Sequence, residues 1–353
     1  MNNFEASHSL HSNLKDPENT VIVVTGISGF LGSHIAKQLL AMGYQVRGTL
    51  RSMKRAADIQ ALIIQNGIQD KNRLSFHEAD LLNDRGWENA VKGADYVIHA
   101  ASPFLTYVPK SEDEVIKPAV EGTKRVLQAA VKAGVKRVVL TSSIAAVIYG
   151  DGQSPYNESH WTGNDPKKVT PYYKSKTLAE QFAWNFAKEN NLELSVINPG
   201  AILGPVLEKD YGTSAEIVVK LLKGEFIGLP NIGFAMVDVR DVAELHIRAL
   251  FHPKAAGERF IAAADFKWFS EVAETLRKGY PEYDKAIPKR NLPSWLVKLV
   301  SRFDPAIKTV VKDLDNERRV SNHKARSTLG WQPRSSEEAI LATAESVLEQ
   351  GIV

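Results

Sequence analysis

Apolar residues along this chain come in two alternating patterns. Val21-Ile22-Val23-Val24 is an unbroken β-branched run, which suits a strand buried on both faces of a parallel sheet. The stretch from Ser33 to Met42 has helical periodicity and stops at Gly43. The same beat recurs. Strands are predicted at Tyr44–Leu50, Leu74–His77, Tyr96–Ala100, Arg137–Leu140 and Leu194–Asn198. Between them, helices are predicted over 56–68, 84–91, 112–133 and from Pro171 to Asn190. For the last of these, Thr170 suits the N-cap, Pro171 the first helical position, and Leu178, Phe182 and Phe186 an apolar face. Strands alternating with helices predict an α/β fold, a Rossmann-type doubly wound parallel sheet. Beyond about residue 205 the rhythm breaks. A helix is predicted at Ser214–Lys223, a strand at Phe234–Val239, a helix over 238–251 and a strand at Glu258–Ala263. Mixed helices carrying Trp268, Trp295 and Trp331 follow.

The first strand runs into Thr25-Gly26-Ile27-Ser28-Gly29-Phe30-Leu31-Gly32 and then a helix. In such a turn Gly26 takes the tight bend, Gly29 lets backbone approach a pyrophosphate, and Gly32 lets helix and strand pack closely. The helix start then faces the phosphates with free N–H groups. Residues 21–205 therefore read as a dinucleotide-binding domain, with 234–263 contributing to it. Residues 206–233 and 264–353 read as a smaller substrate lobe, and 1–20 as a mobile tail. An NAD-binding unit places a carboxylate near the end of the second strand. Here Gly48-Thr49 is followed by Arg51, Lys54 and Arg55, and the nearest acid is Asp58, which suits a 2′-phosphate and hence NADP(H).

Other strand ends carry candidates too. Asp80-Leu81 could meet the adenine amino group, and the small residues of Ala101-Ser102-Pro103-Phe104 would let a cofactor cross the sheet edge. Thr141-Ser142-Ser143 forms a hydroxyl cluster where open α/β sheets bind ligands. Tyr172 and Lys176 lie four apart on a predicted helix, hence on one face. A nearby ammonium lowers a phenol's pKa, as a proton-transferring tyrosine needs. His99, inside an apolar strand, reads as a hydrogen-bonded core residue.

Composition narrows the field. The 353 residues carry a net charge of +3, which offers no electrostatic case for nucleic acid or an anionic membrane. There is no cysteine, so disulfides, thiol nucleophiles and thiolate metal sites are excluded. No stretch approaches the roughly 18 apolar residues of a membrane span. No metal motif, phosphate-binding Gly-x-x-x-x-Gly-Lys-Ser/Thr or hydrolase Gly-x-Ser-x-Gly occurs. The N-terminus has no signal-peptide pattern, and the cytoplasm is the expected compartment.

In this order, Gly26-x-x-Gly29-x-x-Gly32, Asp80-Leu81, Thr141-Ser142-Ser143, Tyr172-x-x-x-Lys176 and Asn198-Pro199 through Gly204-Pro205 resemble an extended short-chain dehydrogenase/reductase. "ASPF" at 101–104, "RVVLTSS" at 137–143, "SKTLAEQFAW" at 175–184 and "NPGAILGP" at 198–205 are similar to its dihydroflavonol reductase branch. That branch includes cinnamoyl-CoA reductases and yeast-type methylglyoxal and carbonyl reductases. The resemblance implies NADPH-dependent reduction of an aldehyde or ketone. Tyr172 would be the general acid. Lys176 would lower its pKa and hold the nicotinamide ribose. Ser143 would polarise the carbonyl, with Ser142 as the fallback. Cofactor contacts would come from Gly26, Ser28, Gly29, Phe30, Leu31, Gly32, Arg51, Arg55, Asp80, Leu81, Ala100, Ser102, Thr141, Pro199 and Ile202. Phe104, Ile148, Tyr149 and the segment Leu207–Tyr211 would line the cleft for a small carbonyl substrate, in a monomer or homodimer. Pro118-Ala119-Val120-Glu121 departs from the asparagine that many extended members carry there. A sugar-nucleotide epimerase or dehydratase, or a non-catalytic NADP(H)-sensing protein, would use the same fold.

Overall fold

The computed structural model describes residues 16–64, 71–102, 111–163, 165, 169–208, 212–302 and 311–353. Phe104, residues 209–211, the end of the predicted second helix and most of the expected tail lie outside the described residues. The strands are β1 (Val21–Thr25), β2 (Gln45–Leu50), β3 (Leu74–Glu78), β4 (Tyr96–His99), β5 (Arg137–Thr141), β6 (Glu193–Pro199), β7 (Ala201–Leu203), β8 (Leu229–Pro230), β9 (Gly233–Asp238), β10 (Arg259–Ala262), β11 (Asp265–Trp268) and β12 (Asn291–Leu292). The helices are α1 (Phe30–Ala41), α2 (Ala56–Ile64), α3 (Trp87–Val91), α4 (Asp113–Lys132), α5 (Pro171–Glu189), α6 (Ala215–Leu222), α7 (Val239–Phe251), α8 (Phe269–Gly279), α9 (Ser294–Val300), α10 (His323–Leu329) and α11 (Ser336–Glu349). No helix among the described residues is long and apolar enough to cross a membrane.

The main sheet has seven strands in the order β10-β6-β5-β4-β1-β2-β3, all parallel. Its centre is what the β-branched runs imply. Ile22, Val23 and Val24 are fully buried, as are Val97, Ile98, Val138 and Val139. Each such side chain contributes about 1.5–3 kcal/mol by leaving water. Helices cover both faces: α1 and α7 pack on one side with Trp331 sealed beneath them, α4 and α5 on the other.

The strand order reverses between β1 and β4, which opens a crevice at their carboxyl ends. There Thr25 Oγ1 receives the backbone N–H of Ala101 at 3.0 Å and meets His99 Nδ1 at 2.7 Å. His99 is thus a satisfied core histidine, and burial drives its pKa down to about 3.

The later residues divide between two sheets. β10 extends the main sheet beside β6, whereas β9 pairs with β7 and β11 in a three-stranded sheet. Gly200 makes that branching possible. A Cβ there would stand 2.2 Å from Ala235 O, so the chain leaving β6 can press directly onto β9. Around this sheet, α6, α8 and α11 bury a second apolar core containing Val218, Phe269, Val272, Ile340 and Val347.

Candidate active site

The glycine turn is built as its spacing implies. Gly26 has φ +67°, and a Cβ on it would lie 2.8 Å from Ala101 Cα. At Gly32 a Cβ would lie 2.2 Å from Gly26 O, so α1 can start against the strand only without one. Gly29 caps α1 and no side chain supplies the cap hydrogen bond. The N–H groups of that helix end are left to a ligand, and the helix dipole favours an anion. Ser28 is half-buried at this turn, and Phe30 packs edge-on against His34 at 5.7 Å. Leu31 is in the core, which leaves its backbone as the part a ligand can use.

At the end of β2, Arg51 is exposed. Glu78, opposite Leu50 on β3, accepts the backbone N–H of Met53 at 3.3 Å. Arg55 reaches across to Glu208 and forms an ion pair at 2.5 Å. Asp80 turns its carboxylate onto the Leu82 N–H at 3.0 Å, and Leu81 packs under Gly122. Ala100 and Ser102 lie at the end of β4, Thr141 ends β5, Pro199 ends β6, and Ile202 sits in β7. These residues fit a dinucleotide: a cradle that any Cβ would fill, an uncapped helix end, and an arginine where a carboxylate would repel a phosphate.

Thr170 and Pro171 start α5 as their residue types dictate, with Thr170 Oγ1 accepting the Tyr173 N–H at 3.3 Å. This aims the first turn of α5 at the carboxyl ends of the strands. Tyr172 is 44% exposed there. Desolvation of the phenol raises its pKa, and the neighbouring Ser143 opposes that rise. Lys176 Nζ lies 5.9 Å from the Tyr172 ring centroid and donates to Ser102 Oγ at 2.9 Å. Burial lowers Lys176 to about 8, against the pull of Glu180. The phenol's pKa is thus governed in this structure by burial and Ser143 rather than by the ammonium.

The two serines of the strand end point different ways. Ser143 shares the cleft with Tyr172, whereas Ser142 is buried and donates to Glu180 Oε2 at 2.5 Å. Ile148 and Tyr149 are buried too, and the Tyr149 hydroxyl donates to Asp313 at 3.0 Å.

Sequence reasoning did not reach Glu180, Arg259, Asn198 as a side chain, or Asp313. Glu180 is four residues beyond Lys176 on the same helical face, a signal that was present; Arg259 and Asp313 reach the site only through tertiary contacts.

Fold and site define a class, an NADP-dependent oxidoreductase that reduces carbonyl groups. The chain belongs to the NAD dependent epimerase/dehydratase family, whose sequence model matches residues 22–263, and within it to the extended short-chain reductases of the cinnamoyl-CoA and dihydroflavonol reductase branch. It is 35% identical to cinnamoyl-CoA reductase 1 of Arabidopsis thaliana over 95% of this chain and 91% of that one. Tetraketide alpha-pyrone reductase 1 of the same plant is 38% identical over 76% of this chain and 83% of its own. Among solved structures, yeast methylglyoxal/isovaleraldehyde reductase Gre2 complexed with NADPH superimposes with a TM-score of 0.78. It shares 27% identity over 95% of this chain and 100% of that one.

Proposed function

We propose that this protein reduces an aldehyde or ketone to the alcohol with NADPH, using Ser143, Tyr172 and Lys176. The observation that carries the reading is Tyr172, partly exposed beside Ser143, on the helix face that also presents Lys176. When bound, NADPH supplies the hydride. Gly26, Gly29, Gly32 and the start of α1 would hold its pyrophosphate, Arg51 and Arg55 its 2′-phosphate, and Lys176 its ribose hydroxyls. Ser143 donates a hydrogen bond to the substrate carbonyl and makes the carbon more electrophilic. Tyr172 gives its proton to the carbonyl oxygen, a step worth roughly 10²–10⁴ in rate. The Lys176 ammonium then faces the phenolate.

Arg51 in place of an acid at the end of β2 argues against the epimerase reading, which rests on bound NAD. Relatives are named as cinnamoyl-CoA and tetraketide alpha-pyrone reductases, and a partly apolar or aromatic carbonyl substrate is the corresponding expectation here. The test is a panel of aldehydes, ketones and acyl thioesters run with NADPH and with NADH. Turnover with NADPH that Tyr172→Phe removes supports the reading; full activity in Tyr172→Phe overturns it.

A further inference from the structure

Glu180 is wholly buried and sits one helical turn past Lys176 on α5. Every lobe of its carboxylate is in use. Oε2 accepts from Ser142 Oγ at 2.5 Å and Asn198 Nδ2 at 2.8 Å. Oε1 accepts from Arg259 Nε at 2.5 Å and Trp184 Nε1 at 3.3 Å. Asn198 Nδ2 also donates to the backbone carbonyl of Ser143 at 3.1 Å. Arg259 is itself fixed, with Nη1 on the carbonyls of Glu158 and His160 at 2.9 Å each and its guanidinium 3.7 Å from the Trp161 ring centroid. A single carboxylate therefore ties α5 to the serine-bearing end of β5, to β6 and to β10.

The other side of Glu180 faces the catalytic lysine. A cavity of about 20 Å³ is bounded by Lys176 and Glu180, with His99, Ser102, Ala119, Thr123, Thr141 and Ser142 among its other walls. That is room for about one water, and the walls are polar enough to hold it. Ala119 and Thr123 belong to the α4 segment whose sequence lacks the asparagine found in many extended reductases.

We propose that Glu180 is a positioning residue for the reduction. It holds Ser143 against the Tyr172 hydroxyl by fastening the β5 end to α5, and it faces the Lys176 ammonium across the cavity. The proposal rests on the roles given above to Ser143, Tyr172 and Lys176. Among the titratable groups around Lys176, Glu180 supplies the negative charge, which it shares with its ion-pair partner Arg259. Tyr172 lies on its own helix, and His99, which is neutral, faces it from β4. Here α4 contributes Ala119 and Thr123, and β5 contributes Thr141 and Ser142, none of them charged. Arg259, on β10, lies behind Glu180. Removing the carboxylate takes away that opposite charge, so the ammonium gives up its proton at lower pH.

The experiment uses the purified full chain, NADPH and a carbonyl compound that the wild type reduces. Glu180→Gln is expected to lower kcat about 10- to 100-fold while KM and the NADPH Kd move less than about threefold. Its alkaline limb in kcat/KM should shift about one pH unit downward. Glu180→Asp keeps the charge and should restore the limb while kcat stays reduced. Ser142→Ala cuts one strut only and should lower kcat about fivefold with the limb in place. A limb unchanged in Glu180→Gln, with kcat lost only in proportion to melting temperature, would overturn the proposal in favour of a purely structural role. Should Glu180→Gln fail to fold, the other two variants decide: wild-type kcat in Ser142→Ala, or a displaced limb in Glu180→Asp, overturns it. Failure of the underlying reading shows separately, as wild-type rates in Tyr172→Phe and Ser143→Ala.

Discussion

Tyr149 and Tyr173 lie face to face, with ring centroids 3.9 Å apart and planes 12° from parallel. Their hydroxyls donate to the two oxygens of one carboxylate, Asp313, at 3.0 and 2.8 Å. Arg318 closes the cluster, pairing with Asp313 at 2.8 Å and lying over the Tyr149 ring. Tyr173 is thus committed to the fold, although it is the chain neighbour of Tyr172. Tyr173→Phe should lose about 1 kcal/mol of stability and keep kcat within a few-fold of wild type. Asp313→Ala strands two phenols and a guanidinium and should cost about 3–5 kcal/mol. Urea denaturation of both variants, beside their steady-state rates, checks this.

Tyr172 and Lys176 separate by their effects on binding and turnover. Tyr172→Phe should lower kcat by roughly 10²–10⁴ with the NADPH Kd within a few-fold, because only the proton donor is lost. Lys176→Ala should weaken NADPH as well, since that side chain bonds Ser102, a residue proposed to contact the cofactor. Fluorescence titration of NADPH with single-turnover rates distinguishes the two.

Arg55 is held by Glu208, whereas Arg51 is exposed. Arg51→Ala should weaken NADPH about tenfold and leave NADH nearly unaffected, as expected for a charge aimed at a 2′-phosphate. Glu208→Gln removes one anionic competitor for Arg55 and should tighten NADPH a few-fold with no gain for NADH. Equal effects on both nucleotides in either variant would remove Arg51 or Arg55 from the 2′-phosphate site.

Three buried histidines set an acid limit on stability. Desolvation lowers His34 and His246 from 6.5 to about 4, and His99 to about 3. Each is neutral in the fold but takes up a proton near pH 6.5 when unfolded, so the unfolded state binds more protons as pH falls. Their stabilisation is complete above about pH 6.5 and is lost as pH drops towards 4, by at most about 1.4 kcal/mol per pH unit for each. Denaturation curves at pH 7.5, 6 and 5 should show progressive loss. His34→Gln, which can keep the bond to the Pro205 carbonyl, should flatten the slope.

Reading the sequence found the elements whose identity is local. The β-branched run at Val21–Val24, the glycine turn and the Thr170-Pro171 helix start each carry their geometry in a few adjacent residues, and the fold has them there. Helix α1 begins at Phe30 rather than Ser33 because Gly29 itself serves as the cap. The strand β7 went unnoticed: its three residues are too few for a pattern, and it exists through pairing with β9, more than thirty residues on. The same holds for β11, where Trp268 ends a strand rather than lying in a helix. At the site, the spacing of Tyr172 and Lys176 was legible. The partition of Ser142 and Ser143 was not, because it depends on Glu180 filling the space behind one of them.

The placement of β10 at the far edge of the sheet bears on how the site comes into being. When synthesis has released the chain only as far as β6, Ser143, Tyr172 and Lys176 are all present. The guanidinium that answers Glu180 is still some sixty residues away, and Asp313 is further still. Such long-range contacts close late. The side chains proposed for catalysis are therefore made early and should become competent last, so a nascent or C-terminally clipped chain able to hold nucleotide should still be unable to turn it over.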